Sequence, residues 1–201
     1  MIIVYSCKKD NVVPAPPTTP APPTEANGFP LSVGSYWIYE NFITDTNNVD
    51  SVNAANPTDS CYIVDDTIFG GKAYSVFVGN IVNENAIFFR RDSAGFIVDQ
   101  YGTIHYSKTD FINTLRTYSI PGTLDAYFKM AGPLTTISVP AGAFPSFDYQ
   151  GMFVMPASYP HDNPRYSHAY YGNNVGLVKE TTFFYSSPDY ISRRLLRYHI
   201  Q

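Results

Sequence analysis

The stretch Tyr159-Pro160-His161-Asp162-Asn163-Pro164-Arg165-Tyr166-Ser167-His168 holds the densest gathering of chemically able side chains in this sequence. Zinc wants three or four ligands converging at about 2 Å, and His161, Asp162 and His168 supply three donors of the right type. The competing reading is a polar hairpin loop stiffened by Pro160 and Pro164. A second candidate, Asp45-Thr46-Asn47-Asn48-Val49-Asp50, clusters the oxygens that hard cations prefer. It departs from an EF-hand loop at three places. Val49 stands where an oxygen ligand belongs, Asp50 replaces the turn glycine, and Asn56 replaces the bidentate glutamate. A hairpin loop is the better account. Asp65 and Asp66 are adjacent, so in a strand their carboxylates point to opposite faces and cannot share acid–base work. His105 and His199 alternate with apolar neighbours, which directs each ring to solvent. No catalytic signature occurs in its required context: no G-x-S-x-G elbow, no H-E-x-x-H, no phosphate loop and no dinucleotide fingerprint. No catalytic residue, no cofactor and no enzymatic activity is expected.

The two cysteines differ in kind. Cys7, in Val4-Tyr5-Ser6-Cys7-Lys8-Lys9, has a small residue before it and a proline-rich tract after it. That is the arrangement of a lipid-attachment cysteine, with residues 1–6 as the remnant of a signal peptide. Residues 7–28 then form the anchor and a spacer. Pro14, Pro16, Pro17, Pro20, Pro22 and Pro23 deny the spacer both helix and ladder, because each lacks an N–H. An extended chain rising about 3.1 Å per residue would hold a domain about 60 Å from a bilayer. Cys61 lies among alternating apolar residues and reads as a buried structural thiol.

These side chains must be positioned by the remaining residues, 29–201, which are enough for one domain with a sizeable core. A net charge of −4 without a basic cluster argues against nucleic acid as a partner. No run reaches the roughly 18 apolar residues of a transmembrane helix. Tyr (17) and Phe (14) are abundant while Leu is scarce, which favours pleated sheet over helix packing. Leu124, Ala126, Phe128 and Met130 alternate on one face, as do Tyr74, Val76 and Val78, and Leu196, Tyr198 and Ile200. Ala86 to Phe89 and Met152 to Met155 are apolar on both faces and read as central strands. Gly70-Gly71, Ser93-Ala94-Gly95, Pro121-Gly122, Ala141-Gly142 and Gly172-Asn173-Asn174 supply hairpin turns at short intervals. The spacing predicts an antiparallel meander, with one short helix over Lys108 to Arg116. Residues Pro188 to Leu196 are open to either a helix start or a hairpin turn. The fold class is all-β, a strongly curved sheet or half-barrel, with a β-sandwich as the alternative.

Three stretches together carry a resemblance. They are Phe29-Pro30-Leu31-Ser32-Val33-Gly34-Ser35-Tyr36-Trp37-Ile38-Tyr39, Val139-Pro140-Ala141-Gly142-Ala143-Phe144, and Tyr170-Tyr171-Gly172-Asn173-Asn174-Val175-Gly176-Leu177-Val178-Lys179. With the closing Arg194-Leu195-Leu196-Arg197-Tyr198, they resemble a group of uncharacterised envelope lipoproteins of Gram-negative bacteria. At longer range the order of motifs is similar to half-barrel proteins that carry lipoproteins and lipids in the periplasm. The resemblance implies a lipoprotein of the cell envelope at the outer membrane, periplasmic or surface-exposed, and carries over no functional residue. Read from physics alone, the motifs are structural: rings on one strand face, a proline–glycine turn, and Gly176 under a ring.

The surplus of Tyr and Phe on strands leads to an expected function. It is a non-enzymatic binding module with an aromatic-lined concavity for a hydrophobic or acyl ligand, formed by Trp37, Tyr39, Phe88, Phe128 and Phe153. A glycan-binding surface is one alternative, and a structural subunit with a protein partner is another. The membrane partner enters through the lipid anchor.

Overall fold

Short apolar runs broken by glycine and asparagine fold into strands and tight turns throughout residues 29–81 and 84–201, which this computed structural model describes. Cys7 and the spacer lie outside the described residues. The first strands are β1 (Tyr36–Thr44), β2 (Asp50–Val52), β3 (Thr58–Phe69), β4 (Lys72–Ile81), β5 (Glu84–Ser93), β6 (Phe96–Val98) and β7 (Ile104–Ser107). The second series is β8 (Arg116–Ile120), β9 (Leu124–Val139), β10 (Gly142–Val154), β11 (Arg165–Gly172), β12 (Gly176–Phe183) and β13 (Tyr190–His199). All pairings are antiparallel, and the order is β7-β6-β5-β4-β3-β1-β13-β12-β11-β10-β9-β8, with β2 paired to β1. Two meanders are thus sewn together by β1. The single sheet curls into a nearly closed barrel whose edge strands β7 and β8 leave a seam. A two-sheet sandwich is excluded by this continuity.

The turns agree with the expected chemistry. Gly70 and Gly71 between β3 and β4 take φ of 55° and 75°, and Ala94 and Gly95 between β5 and β6 take 55° and 90°. Such paired positive values match the twist of the flanking strands. Segment 188–189 belongs to a turn that leads into β13, which settles the open choice there in favour of the hairpin.

No helix forms among the described residues, and the one predicted over Lys108 to Arg116 is an irregular loop ending at β8. Asp110 takes amides that a helix would bond to its own carbonyls, while Ser107 caps a turn that goes no further. Ser107 Oγ accepts from the N–H groups of Thr109 and Asp110, and Asp110 Oδ1 accepts from those of Ile112 and Asn113. Such local bonds compete with helix. Ile112, placed on the predicted apolar face, is 91% exposed.

Alternation along the strands fills the barrel. Ala126 and Met130 of β9 are fully buried, as predicted, with Phe128 between them on the same face. On β4 the inward face is Ser75, Phe77 and Gly79 rather than Tyr74, Val76 and Val78. Phe77 stacks between Trp37 and Phe88, while Tyr74 is buried on the outer face against Phe69 and the Arg91 guanidinium. On β13 a bulge changes the phase. Tyr39 pairs with Leu195 and Ile38 with Arg197, so Leu196 is skipped; Leu195 is buried and Leu196 is 39% exposed. The two strands predicted to be covered on both faces are central, yet Ile87 on the outer side of β5 is open to solvent.

Candidate lumenal binding site

The inward side chains leave a cavity of about 480 Å³ inside the barrel. Phe29, Trp37, Phe77, Phe88, Phe128 and Phe153 line its apolar wall. Trp37 is fixed because its Nε1–H donates to the Val175 carbonyl, and Gly176 (φ 84°) lies against the indole. An alanine Cβ at Gly176 would sit 3.4 Å from that ring nitrogen, so the V-G-L strand start is shaped to the tryptophan. Of the five aromatic residues predicted to line a concavity, Trp37, Phe88, Phe128 and Phe153 reach this cavity. Tyr39 belongs to the surrounding core, where its hydroxyl donates to the Leu177 carbonyl.

Polar groups occupy two regions of the lumen. One centres on Arg193, whose guanidinium lies 3.5 Å from Glu180, 4.0 Å from Asp59 and 4.3 Å from the Tyr39 ring centroid. Burial is the largest single influence and works against its charge, but Glu180, Tyr39 and Asp59 together outweigh it, and its pKa rises. Burial pushes the Tyr39 hydroxyl far above its ordinary range and the Cys61 thiol up to about 11. Burial thus keeps the Cys61 thiol protonated in the lumenal wall.

The second region lies at the seam. His105, predicted to face solvent, turns inward, because Ile97 pairs with Tyr106 and Val98 with Ile104 and the bulge leaves His105 without a ladder partner. Its Nε2 lies 3.1 Å from Asp99 Oδ2, and Arg90 Nη2 lies 3.4 Å from its Nδ1. Burial, then the neighbouring Arg90 charge, lowers the His105 pKa to about 4. The ring is neutral at ordinary pH, so Nε2–H donates to Asp99 while Nδ1 accepts from Arg90. Burial opposes the charge on Asp99, but this His105 bond and the amides of Thr103 and Tyr101 hold its carboxyl below the usual range. Arg116, at the start of β8, lies over Phe128 at 4.9 Å and Tyr118 at 5.4 Å. Its charge also lowers the pKa values of Arg90 and His105, behind larger causes. Sequence reading missed Arg90 and Arg116; the shared face of Phe88 and Arg90 was a usable signal once the inward phase of β5 was known.

The predicted metal set does not converge. His168 points outward from β11, where its Nδ1 lies 2.8 Å from Asp148 Oδ2 and its ring stacks on Tyr170. His161 packs edge-on against Tyr159. No group of three His, Cys, Asp or Glu side chains among the described residues is placed to hold a metal ion. Instead Arg165 organises this region: its guanidinium donates to the Tyr159 hydroxyl and to the carbonyls of Phe184, Ser187, Pro188 and Asp189. In the other candidate, Asp45 Oδ1 is occupied by the amides of Asn47 and Val49, closing a turn.

The fold is similar to that of two solved structures. A Bacteroides fragilis protein, described as exported and as having a YmcC-like fold, superposes with a TM-score of 0.53 at 12% identity. The match covers 87% of this chain and 99% of that one. A protein of Parabacteroides distasonis, described as a lipoprotein, gives 0.52 at 13% identity with the same coverage. At these identities the likeness establishes the fold. No family model and no curated protein matches the sequence.

Proposed function

We propose that this chain is a cell-envelope lipoprotein whose barrel lumen binds a hydrophobic molecule or acyl chain, without chemistry of its own. The observation that carries the reading is the aromatic-lined cavity inside the barrel, about 480 Å³, within the range of roughly 300–1,000 Å³ typical of small-molecule sites. The lumenal thiol is protonated and the neutral His105 is occupied on both nitrogens, so neither is poised as nucleophile or base. Cys7 and the proline-rich spacer give the anchor, and the descriptions of the two fold neighbours as exported and as a lipoprotein agree with that location.

Trp37 is the sole tryptophan and lines the lumen, so a terminally brominated dodecanol tests the reading directly. Saturable quenching of its fluorescence, reversed by excess plain dodecanol, is expected. Quenching that rises without saturation contradicts a lumenal site.

One outer feature favours a second reading. Tyr127, Met152 and Tyr166 lie side by side across β9, β10 and β11, with both tyrosines over a third exposed. A flat row of this kind suits a sugar ring. A glycan screen that responds to Tyr127→Ala but not to lumenal variants would favour it.

A further inference from the structure

The lumen is not uniformly apolar, and its two charged regions differ in how they are balanced. Arg193 has carboxylates at hand in Glu180 and Asp59. Arg90 and Arg116 form no ion pair with a carboxylate among the described residues, although both line the same cavity. Their contacts are of another kind. Arg90 donates to the Phe89 carbonyl and His105 and lies 4.8 Å from the Phe88 centroid, while Arg116 rests on Phe128 and Tyr118. Asp99 is engaged by His105 and by the amides of Tyr101 and Thr103. It steadies Arg90 through the imidazole instead of neutralising it at contact. Two guanidinium groups facing one aromatic-lined space carry an electrostatic cost that an anion would offset. Planar guanidinium forks match carboxylate and phosphate oxygens.

We infer that the lumen takes an acyl chain bearing one anionic head, a carboxylate or a phosphate monoester, with the head seated between Arg90 and Arg116 at the β7–β8 seam. This rests on the reading of the lumen as an apolar-ligand site and adds the chemistry of the ligand's head. The tail lies against Phe88, Phe128 and Trp37. Arg90 reaches the lumen on the inward face of β5 that it shares with Phe88, where His105 meets it, and Arg116 by its place at the start of edge strand β8.

The test uses the full chain and three brominated twelve-carbon ligands that differ only at the head: dodecanol, dodecanoate and dodecyl phosphate, all below micellar concentrations. Quenching of Trp37 reads binding. The anions are expected to bind about tenfold or more tightly than the alcohol. Arg90→Gln and Arg116→Gln are each expected to lose about tenfold toward the anions, with the alcohol unchanged. A preference between the anions assigns the head: carboxylate as in a free fatty acid, or phosphate as in a lipid headgroup. The comparison among ligands in the unsubstituted protein stands even if a variant folds poorly. Equal affinity for all three ligands, or variants that bind the anions as the parent does, overturns the anionic head and leaves the lumenal site standing. Failure of all three to quench Trp37 overturns both.

Discussion

His105 and Arg165 show how single side chains govern stability. In the folded chain His105 stays neutral down to about pH 4, whereas an unfolded histidine protonates near about 6.5. Below that value the unfolded chain gains a proton that the folded chain refuses, so stability falls as pH drops from about 6.5 to about 4 and then levels. The contribution is at most about 3 kcal/mol, trimmed by solvent because the side chain is 22% exposed. Urea unfolding across that window is expected to show a shallower pH slope for His105→Gln than for the parent, and equal slopes would contradict this origin. Arg165 is nearly inaccessible and satisfies four main-chain carbonyls that precede β13. Arg165→Met keeps bulk but strands those acceptors, at a cost of about 3 kcal/mol or more in denaturant unfolding. Arg165→Lys, lacking the planar fork, recovers only part of it. A loss below about 1 kcal/mol for Arg165→Met would contradict the role assigned to this residue.

Strand elements carry the fold through close approach and through irregularity. At Gly79 the β4 main chain passes so near β3 that an added Cβ would stand 2.5 Å from the Ser60 carbonyl oxygen. Backbone cannot rotate aside, so Gly79→Ala is expected to cost roughly 2 kcal/mol, read by thermal or urea unfolding; an unchanged midpoint would mean that the two strands part freely. The regular parts of these elements were legible in the sequence. Period-two alternation placed Ala126, Phe128 and Met130 inward, and glycine-bearing pairs marked the hairpins at Gly70-Gly71 and Ala94-Gly95. The bulges were not legible. Each inserts one residue without changing composition, yet flips the face of every later residue in its strand. That is why Leu196, expected on one face with Tyr198 and Ile200, is skipped in the pairing with β1, and why His105, expected in solvent, turns inward. The helix predicted over Lys108 to Arg116 failed for a local reason, since Asp110 binds the amides of Ile112 and Asn113 that it needed. The metal set failed for a topological one: His161 lies in the loop before β11 and His168 within the strand, turned toward Asp148 on β10. Inward aromatic residues could be foreseen from pattern, but Arg90 and Arg116 meet only once the sheet curls and brings its distant edges near each other.

At the scale of the whole molecule, an open sheet has been rolled until one seam remains, and the space enclosed is apolar with cationic groups beside the seam. Such a shape is suited to holding part of a lipid away from water, and the proposed anchor at Cys7 would keep the protein at the membrane. Cys7→Ser, expressed behind a functional lipoprotein leader, is expected to abolish incorporation of a labelled acyl chain into the protein; undiminished labelling would place the anchor elsewhere. The barrel should still fill its lumen in that variant. Native mass spectrometry of the full chain, exported as Cys7→Ser and purified without detergent, therefore tests the central claim most directly. A reproducible mass excess that extracts into organic solvent and contains an acyl chain is the predicted result. A bare protein mass under conditions that preserve known lipid complexes would contradict the lumenal carrier.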